Sequence, residues 1–234
     1  MELYYQPNIP EGAHLLDPDE SRHCVKVLRH KAGDHIWVTD GKGFMYEAKI
    51  EKAHHKECAF SIIHKKQYPK KTYSIHLAFA PTKNIDRTFW VIEKSIEIGV
   101  DAIHFFTSFH SERRQLNQQK VHSRAISAMK QSLKAYLPAL YDLCTFDELL
   151  LRSDQLEMEK YIAYIDNPPP RHLFQQATRE KSYLVLIGPE GGFSADEVRT
   201  ARKRGFHIVS LGESRLRTET AAIAACHTLH LVNE

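Results

Sequence analysis

Long apolar runs are missing from this sequence of 234 residues, and no segment comes near the roughly 20 apolar residues that a membrane-spanning helix needs. The first residues, MELYYQP, lack the basic stretch followed by an apolar one that marks a signal peptide. Only four cysteines occur, widely separated and without a C-x-x-C pair, as is usual for reduced cytoplasmic thiols. We therefore expect a cytoplasmic protein with no membrane segment.

Sequence fingerprints of common cofactor sites are missing as well. There is no G-x-x-x-x-G-K-[ST] loop and no G-x-G-x-x-G after a strand, which disfavours a P-loop nucleotide, NAD and FAD. There is also no H-E-x-x-H and no G-x-S-x-G. Among the 15 histidines, His54, His55, His104 and His110 have no partners at metal-ligand spacing. We expect no metal site.

Positive charge is segregated along the chain although the net charge is only +3. Two stretches, from 21 to 33 and from 113 to 141, carry cations and no acid. Their basic residues are Arg22, Lys26, Arg29 and Lys31 in the first, and Arg113, Arg114, Lys120, Arg124, Lys130 and Lys134 in the second. Such segregation makes positive surfaces that bind phosphate backbones. A merely solvated basic face is the alternative.

The first seventy residues are predicted to be rich in β-strand. Strands are expected over 35–39, 44–50 and 58–63, with a glycine-containing turn at 40–43 and a short helix over 20–28 that carries the first basic stretch. The basic, proline-containing segment 65–71 is the predicted domain boundary. We therefore predict two domains, 1–70 and 71–234.

After this boundary the hydrophobic pattern alternates between strands and helices. Strands are predicted over 73–79, 102–106, 161–165, 183–187 and 207–211, and helices over 85–98, 121–133, 194–204 and 220–231. Gly99 and Gly205 are predicted helix ends, and Ser194 with Glu197 forms a capping box. This alternation predicts an α/β fold with a mainly parallel sheet.

Two glycine-containing loops follow predicted strands. Gly188-Pro189-Glu190-Gly191-Gly192 follows Ile187, and the segment 212–221 follows Leu211. In open parallel sheets ligands gather at the carboxyl ends of strands, and glycines let a ligand approach the main chain. The first loop holds an acid and no lysine, so a ligand with a cationic centre and an aromatic ring suits it better than a triphosphate. Turns needed only for chain reversal remain the alternative.

These same loops resemble a known family. The sequences LIGPEGGFS at 186–194 and LG at 211–212 followed by LRTETA at 216–221 closely resemble the ribosomal small-subunit RNA uracil-N3 methyltransferases of the SPOUT class. The segments RH at 22–23, VLR at 27–29 and GD at 33–34 resemble the N-terminal PUA-like barrel of that family. Further matches are IEK at 92–94, EIGV at 97–100 and SERR at 111–114, so that the resemblance covers nearly the whole chain. In the helix near 129–134 this chain has Lys130 and Lys134 where many members have Glu and Arg.

The resemblance implies a fold and a cofactor. It implies a C-terminal SPOUT domain with a deep trefoil knot, a small PUA-like β-barrel and an obligate homodimer. S-adenosylmethionine is expected in the knot. The residues implied to bind it are Thr107, Leu186, Ile187, Gly188, Glu190, Gly191, Gly192, Leu211, Gly212, Leu216, Arg217, Thr220 and Ala221.

The resemblance also implies the reaction, which is methylation of uracil N3 in 16S rRNA of the small ribosomal subunit. Arg217 is the candidate for stabilising the uracil anion, while Glu219 is either a base, a helix cap or part of a structural salt bridge. The residues expected to bind RNA are Arg22, Lys26, Arg29, Lys31, Arg113, Arg114 and Arg124. The target base must leave its stack to reach the methyl group.

Three other functions remain open at this point. The chain could be a SPOUT methyltransferase that acts on another RNA base, a non-catalytic RNA-binding or ribosome-assembly protein, or a nucleotide-dependent α/β enzyme. The glycines of both loops together with Arg217 favour an active methyltransferase over a scaffold, and the missing nucleotide fingerprints disfavour the third function.

Overall fold

A computed structural model of the protein describes residues 2–234. The chain divides into two compact units, one made of Met1–Lys70 with Ile126–Leu137 and the other of Lys71–Ala125 with Pro138–Glu234. The sequence prediction places all of 71–234 in the second domain, but 126–137 packs with the first unit. The reason is that Ala135 is buried in a small apolar cluster with Leu3 and Met45.

The first unit is built on a four-stranded sheet. Its elements are β1 (Leu3–Tyr5), a 3₁₀ turn (Ile9–Glu11), α1 (Pro18–Arg22) running into a π-helical turn (His23–Val27), β2 (His35–Thr39), β3 (Phe44–Lys52) and β4 (Ala59–Gln67). The strand order is β1-β2-β3-β4, with β1 parallel to β2 and the other neighbours antiparallel. Helix α1 begins at Asp17, whose side chain accepts hydrogen bonds from the main-chain N–H groups of Asp19 and Glu20.

Strand β4 runs further than predicted, because residues 65–67 belong to it rather than to the boundary segment. Its exposed lysines hide the strand pattern in the sequence. The ammonium of Lys65 lies 3.9 Å from the centre of the Phe44 ring, and that of Lys66 lies 4.8 Å from the Tyr68 ring. Charged side chains of this kind are usual on an edge strand, where they also discourage pairing with other chains.

The second unit alternates strands and helices. Its elements are β5 (Ser74–Phe79), α2 (Ile85–Ile98), β6 (Ala102–Thr107), α3 (Gln118–Gln131, ending in the first unit), β7 (Ala139–Leu140), β8 (Cys144–Thr145), α4 (Phe146–Ser153), β9 (Glu159–Ala163), α5 (Leu173–Gln176), β10 (Ser182–Ile187), α6 (Ala195–Lys203), β11 (His207–Val209) and α7 (Thr218–Leu231). The strand order is β11-β9-β10-β5-β6-β7, with β8 also paired to β6, and every pair is parallel. The predicted α/β fold with a parallel sheet is confirmed.

The central strands are buried on both faces, as expected for a parallel sheet covered by helices. Leu184 and Leu186 on β10 pack into a cluster that includes Phe106, Phe193 and residues of α4 and α6. Helix α7 packs against α2, β5 and β10. Apolar residues of α7 lie both on its buried side, as Ala222 and Leu229 do, and on its exposed side, as Leu231 does, so the sequence shows no clear amphipathic stripe there.

Two predicted boundaries next to the glycine loops are wrong. The last strand ends at Val209 rather than Leu211, and the last helix begins at Thr218 rather than Thr220. Apolar Leu211 made the strand look longer, although Ser210 instead forms an isolated bridge with His172. The capping box of Ser194 with Glu197 and the helix end at Gly99 are confirmed.

Candidate active site

The loops singled out in the sequence both lie at carboxyl ends of strands of the parallel sheet. Strand β10 is central, and the loop that follows it at 188–192 is called the first glycine loop. Strand β11 is at the edge, and the segment 210–217 that follows it is called the second glycine loop. Because β10 and β11 belong to one parallel sheet, both loops lie at the carboxyl end of that sheet, where ligands of open α/β folds bind.

The first glycine loop is tightly held. The main-chain N–H of Gly192 donates to Pro189 O at 2.8 Å, and Nδ1 of His110 lies 3.1 Å from Gly192 O. A Cβ added to Gly191 would come within 2.8 Å of His110 Cβ, and one added to Gly188 would meet the Phe193 ring at 3.1 Å. A larger residue at 191 would therefore require the main chain or His110 to move, whereas one at 188 would require only a small shift of the Phe193 ring.

The second glycine loop is open. Ser210 Oγ donates to Gly212 O and accepts from Gly212 N, both at 3.0 Å. Beyond this, the main-chain N–H groups of 213–216 donate no hydrogen bond to any atom of residues 2–234. Gly212 has φ +125°, a backbone conformation that residues with a Cβ rarely adopt. A Cβ added to it would have no atom within 4 Å. The loop thus offers main-chain donors and free space to a ligand.

The start of α7 joins the two loops. Thr218 Oγ1 is buried and donates to Gly188 O at 3.1 Å. The preceding residue, Arg217, is the N-cap of α7 and makes no side-chain cap hydrogen bond in the part of the chain that the structure describes. The first N–H groups of a helix have no acceptor within the helix, and its N-terminus carries partial positive charge. A polar or anionic group of a ligand is therefore favoured beside Arg217.

Glu219 takes part in a salt bridge in the first turn of α7. Its Oε1 lies 3.3 Å from Nη1 of Arg87 on α2, and its side chain is only 13% exposed. Its other oxygen, Oε2, is buried and has no hydrogen-bond partner within residues 2–234. A buried acceptor of this kind is rare in folded proteins and calls for a ligand, a water molecule or a proton donor.

The loop after β5, residues 80–84, is fixed by side chains from the two neighbouring loops. Arg113 donates from Nε to Thr82 O at 2.9 Å and from Nη2 to Lys83 O at 2.6 Å. Glu190 Oε1 accepts from the main-chain N–H of Lys83 at 2.9 Å. Lys83 in turn pairs through Nζ with Glu112 at 2.7 Å, and this hydrogen bond raises the pKa of Lys83.

The remaining residues predicted to bind the cofactor differ in how much of them a ligand could reach. Leu186 and Ile187 are buried in β10, so only their main chain is available, and Ile187 O already accepts from Ala80 N. Thr107 ends β6 and is half-buried. In the second glycine loop, Leu211 and Leu216 are half-buried. At the start of α7, Thr220 is exposed and Ala221 is half-buried.

In the first unit, the cations predicted to bind RNA are all exposed. Arg22, Lys26, Arg29 and Lys31 follow one another along α1, the π-helical turn and the next loop, and none forms a salt bridge with any described residue. Arg29 has φ +61°. By contrast, Lys130 is half-buried and paired with Glu20, a carboxyl group whose pKa is raised by burial.

In the second unit, the three cations predicted to bind RNA are engaged to different degrees. Arg113 is held by the two carbonyls of the β5 loop. Arg124 lies 5.5 Å from the centre of the Phe89 ring. Arg114 is exposed and has no salt bridge or hydrogen bond within the described chain.

The sequence reasoning missed Arg87, Lys83 and Glu112. Each acts through a partner distant in the sequence or in a neighbouring loop, so no local pattern marks it. A metal-ion cluster of three or more His, Cys, Asp or Glu residues is not found within residues 2–234. Over the same residues, no helix is long and apolar enough to cross a bilayer.

Comparison with known proteins assigns both parts of the chain. Residues 69–230 match a family described as an RNA methyltransferase domain, and residues 16–63 match an RNA methyltransferase PUA domain. The chain is 30% identical to the ribosomal RNA small subunit methyltransferase E of Buchnera aphidicola subsp. Acyrthosiphon pisum, over 97% of this chain and 91% of the relative.

Two solved structures are similar over the whole chain. A protein from Porphyromonas gingivalis described as a probable rRNA-methyltransferase has a TM-score of 0.91 and 40% identity, covering 100% of this chain and 98% of that one. The ribosomal RNA small subunit methyltransferase E of Neisseria gonorrhoeae, solved bound to S-adenosyl methionine, has a TM-score of 0.84 and 26% identity with the same coverage. The protein thus belongs to the ribosomal RNA small subunit methyltransferase E family.

Proposed function

We propose that this protein is an S-adenosylmethionine-dependent methyltransferase that methylates N3 of one uridine in the 16S rRNA of the small ribosomal subunit. The observation that carries the proposal is the pair of glycine loops joined by the hydrogen bond from Thr218 Oγ1 to Gly188 O. It occurs in a chain whose Neisseria relative binds S-adenosyl methionine. Because ribosomal RNA is the substrate, we place the protein in the cytoplasm.

The residues present suit the cofactor. The second glycine loop supplies unused main-chain N–H groups and the open side of Gly212, both of which suit an adenosine edge that needs hydrogen bonds and close approach. The uncapped N-terminus of α7 suits a carboxylate. We propose that Gly188, Gly191 and Gly192 from the first loop line the same hollow, together with Thr107, Glu190 and residues Leu211, Leu216, Thr220 and Ala221 on the other side.

When bound, S-adenosylmethionine supplies an electrophilic methyl group whose leaving group is a neutral thioether. Residues of the chain must then remove the proton from uracil N3 and stabilise the negative charge that develops on the ring. Arg217 is exposed at the N-terminus of α7. Its guanidinium stays protonated, so its positive charge stabilises the uracil anion.

Glu219 is the second catalytic residue of the proposal, in which it accepts the N3 proton. Arg87 holds one carboxylate oxygen, which fixes the orientation of the group, while the buried Oε2 keeps its acceptor capacity unused. The salt bridge and the role of base are therefore compatible in one side chain. We propose that the Glu219 carboxylate receives the proton from uracil N3 and that Arg217 stabilises the uracil anion that results.

In the proposal, cations of each unit contact the RNA. In the first unit these are Arg22, Lys26, Arg29 and Lys31, and in the second they are Arg113, Arg114 and Arg124. Contacts of this kind release counterions from phosphates, so each one adds to the salt dependence of binding. Neutralising Lys26 and Arg29 should weaken RNA binding and flatten its dependence on salt, and an unchanged salt slope would remove them from the interface.

A deep trefoil knot and a homodimer complete the proposal. The chain reaches the sheet edge at β11 and then returns, so that α7 packs on the central strands β5 and β10, a return path that a knot requires. Exposed apolar side chains on α2 and α7, Trp90 and Leu231, suit a subunit contact. Light scattering should give twice the chain mass of 27.0 kDa, and a crystallographic trace of the main chain tests the knot.

Mapping of modified nucleosides tests the reaction. We expect 16S rRNA from cells that lack this protein to have lost a single 3-methyluridine, and the purified protein to restore it with S-adenosylmethionine. Calorimetry with S-adenosylmethionine separates the enzyme from a ribosome-assembly scaffold, which has no need to bind it. Loss of a different methylated nucleoside would make the protein a methyltransferase of another base, and an unchanged modification pattern would refute the proposal.

A further inference from the structure

A cationic trough lies beside the first glycine loop, and it brings Arg113 and Arg114 of the second basic stretch together with Lys83 and Arg87, which the sequence pattern did not mark. It consists of two cavities of about 440 Å³ each that share Lys83 and Glu112. One is also lined by Arg113, Arg114 and Gln115, and the other by Asn84, Arg87 and Glu190. Each volume lies within the range of about 300–1,000 Å³ usual for small-ligand sites.

The residues that line the trough are all charged or polar. Four cations face two carboxylates, and both carboxylates are already engaged. Glu112 pairs with Lys83 Nζ at 2.7 Å, and Glu190 Oε1 accepts from the main-chain N–H of Lys83. Because the cations outnumber the carboxylates, the residues that line the trough carry a net positive charge, and the trough favours an anion.

The arginines are arranged in a way that suits a phosphate group. Arg113 is fixed by two carbonyl oxygens, so its guanidinium is held in place before any ligand arrives. Arg114 next to it has no partner within residues 2–234. A planar guanidinium offers parallel N–H groups that match phosphate oxygens, and a fixed one loses little entropy on binding.

The Lys83–Glu112 pair is easily exchanged. The two side chains are 72% and 56% exposed, and ion pairs so exposed contribute at most about 1 kcal/mol. A phosphate that enters the trough can therefore replace Glu112 as the partner of Lys83 with little loss of free energy. The position of the trough also suits the substrate, because Arg87 on its wall is the residue that holds Glu219.

We infer that this trough binds the phosphate of the nucleotide that carries the target base, with Lys83, Arg113 and Arg114 as its ligands. The inference rests on the proposed function, since it assigns a phosphate subsite beside the proposed catalytic groups. Glu112 acts as a stand-in anion that holds Lys83 in place until RNA arrives.

Binding of small probes to the full-length protein tests this directly. Uridine 5′-monophosphate and uridine should be titrated separately and followed by NMR, with inorganic phosphate as a competitor. We expect the monophosphate to bind about tenfold more tightly than uridine, as one charge-assisted phosphate contact provides. Equal affinities for the two probes would overturn the inference.

Variants assign the effect to the trough. Lys83→Gln and Arg114→Gln should each abolish most of the preference for the monophosphate, whereas Glu112→Gln should increase it by freeing Lys83. The matched control is Arg202→Gln, an exposed cation on α6 outside the trough, which should keep the preference of the wild type. If Arg202→Gln lowers the preference as much as Arg114→Gln, the effect is general surface charge and the inference is wrong.

A parallel titration with S-adenosylmethionine keeps this inference separate from the proposed function. If the protein binds the cofactor and methylates 16S rRNA but does not prefer the monophosphate, only the phosphate subsite is refuted. If the cofactor does not bind, the proposed function fails first.

Discussion

The two glycine loops lie at the carboxyl end of one parallel sheet, yet they differ in how closely neighbouring residues hold them. The first, after β10, is tied to His110 and the β5 loop, and neighbouring atoms crowd the places where side chains would stand on Gly188 and Gly191. The second, after β11, has unpaired main-chain N–H groups and open space beside Gly212. The first loop is thus fixed by contacts within the protein, whereas the second keeps main-chain donors and space free for a ligand.

The difference follows from the positions of the strands. A loop that leaves a central strand is surrounded by loops of neighbouring strands and finds partners for its polar groups among them. A loop that leaves the edge strand has neighbours on one side only, so its polar groups stay free for a ligand. Thr218 is the point where the two loops meet, since its hydroxyl holds Gly188 from the start of α7.

The largest expected effect is on the reaction itself. Arg217→Ala in the second loop should lower turnover by about 100- to 1,000-fold, the usual cost of removing one group that stabilises transition-state charge. Affinity for S-adenosylmethionine, measured by calorimetry, should fall much less. Arg215→Ala in the same loop is the control, because Arg215 is exposed and has no assigned role. Similar turnover in both variants would show that Arg217 is an ordinary surface cation.

Crowding in the first loop should appear as lost stability. Gly191→Ala places a Cβ 2.8 Å from His110 Cβ, and overpacking of this kind costs about 1–3 kcal/mol. Urea unfolding measures the loss. Adding His110→Gly removes the opposing atom and should recover part of it in a double-mutant cycle. Additive effects of the two substitutions would mean that the loop is not held against His110.

Space in the second loop should matter more for the ligand than for the fold. Gly212→Ala strains the main chain at φ +125° by about 1–2 kcal/mol, and it also fills space assigned to the cofactor. Gly205→Ala is a matched control with φ +83° and equally open surroundings. Both variants should lose similar stability, but only Gly212→Ala should lose cofactor affinity. Equal affinity in the two would place the cofactor elsewhere.

The junction between the loops should show the smallest effect. Thr218→Val keeps the shape of the side chain but removes the donor to Gly188 O, and the net contribution of one such hydrogen bond is about 0.5–1.5 kcal/mol. Thermal unfolding measures the loss, and Thr228→Val further along α7 serves as the control. A neutral Thr218→Val would mean that the two loops are independent.

Sequence alone located both glycine loops, because each is a local motif directly after an apolar strand pattern. It also predicted the Ser194 capping box and the parallel sheet for the same local reason. It could not predict that Arg87 pairs with Glu219, because 132 residues separate them along the chain. The engagement of Glu190 with Lys83 N was likewise hidden, and so was the transfer of 126–137 to the first unit.

Hydrogen exchange of the main chain with and without S-adenosylmethionine tests the central comparison most directly. The account predicts that the cofactor strongly slows exchange at 213–216, whose N–H groups have no partner in the described chain, and changes the first glycine loop far less. Unchanged exchange at 213–216 in the saturated protein, or protection confined to the first loop, would contradict it.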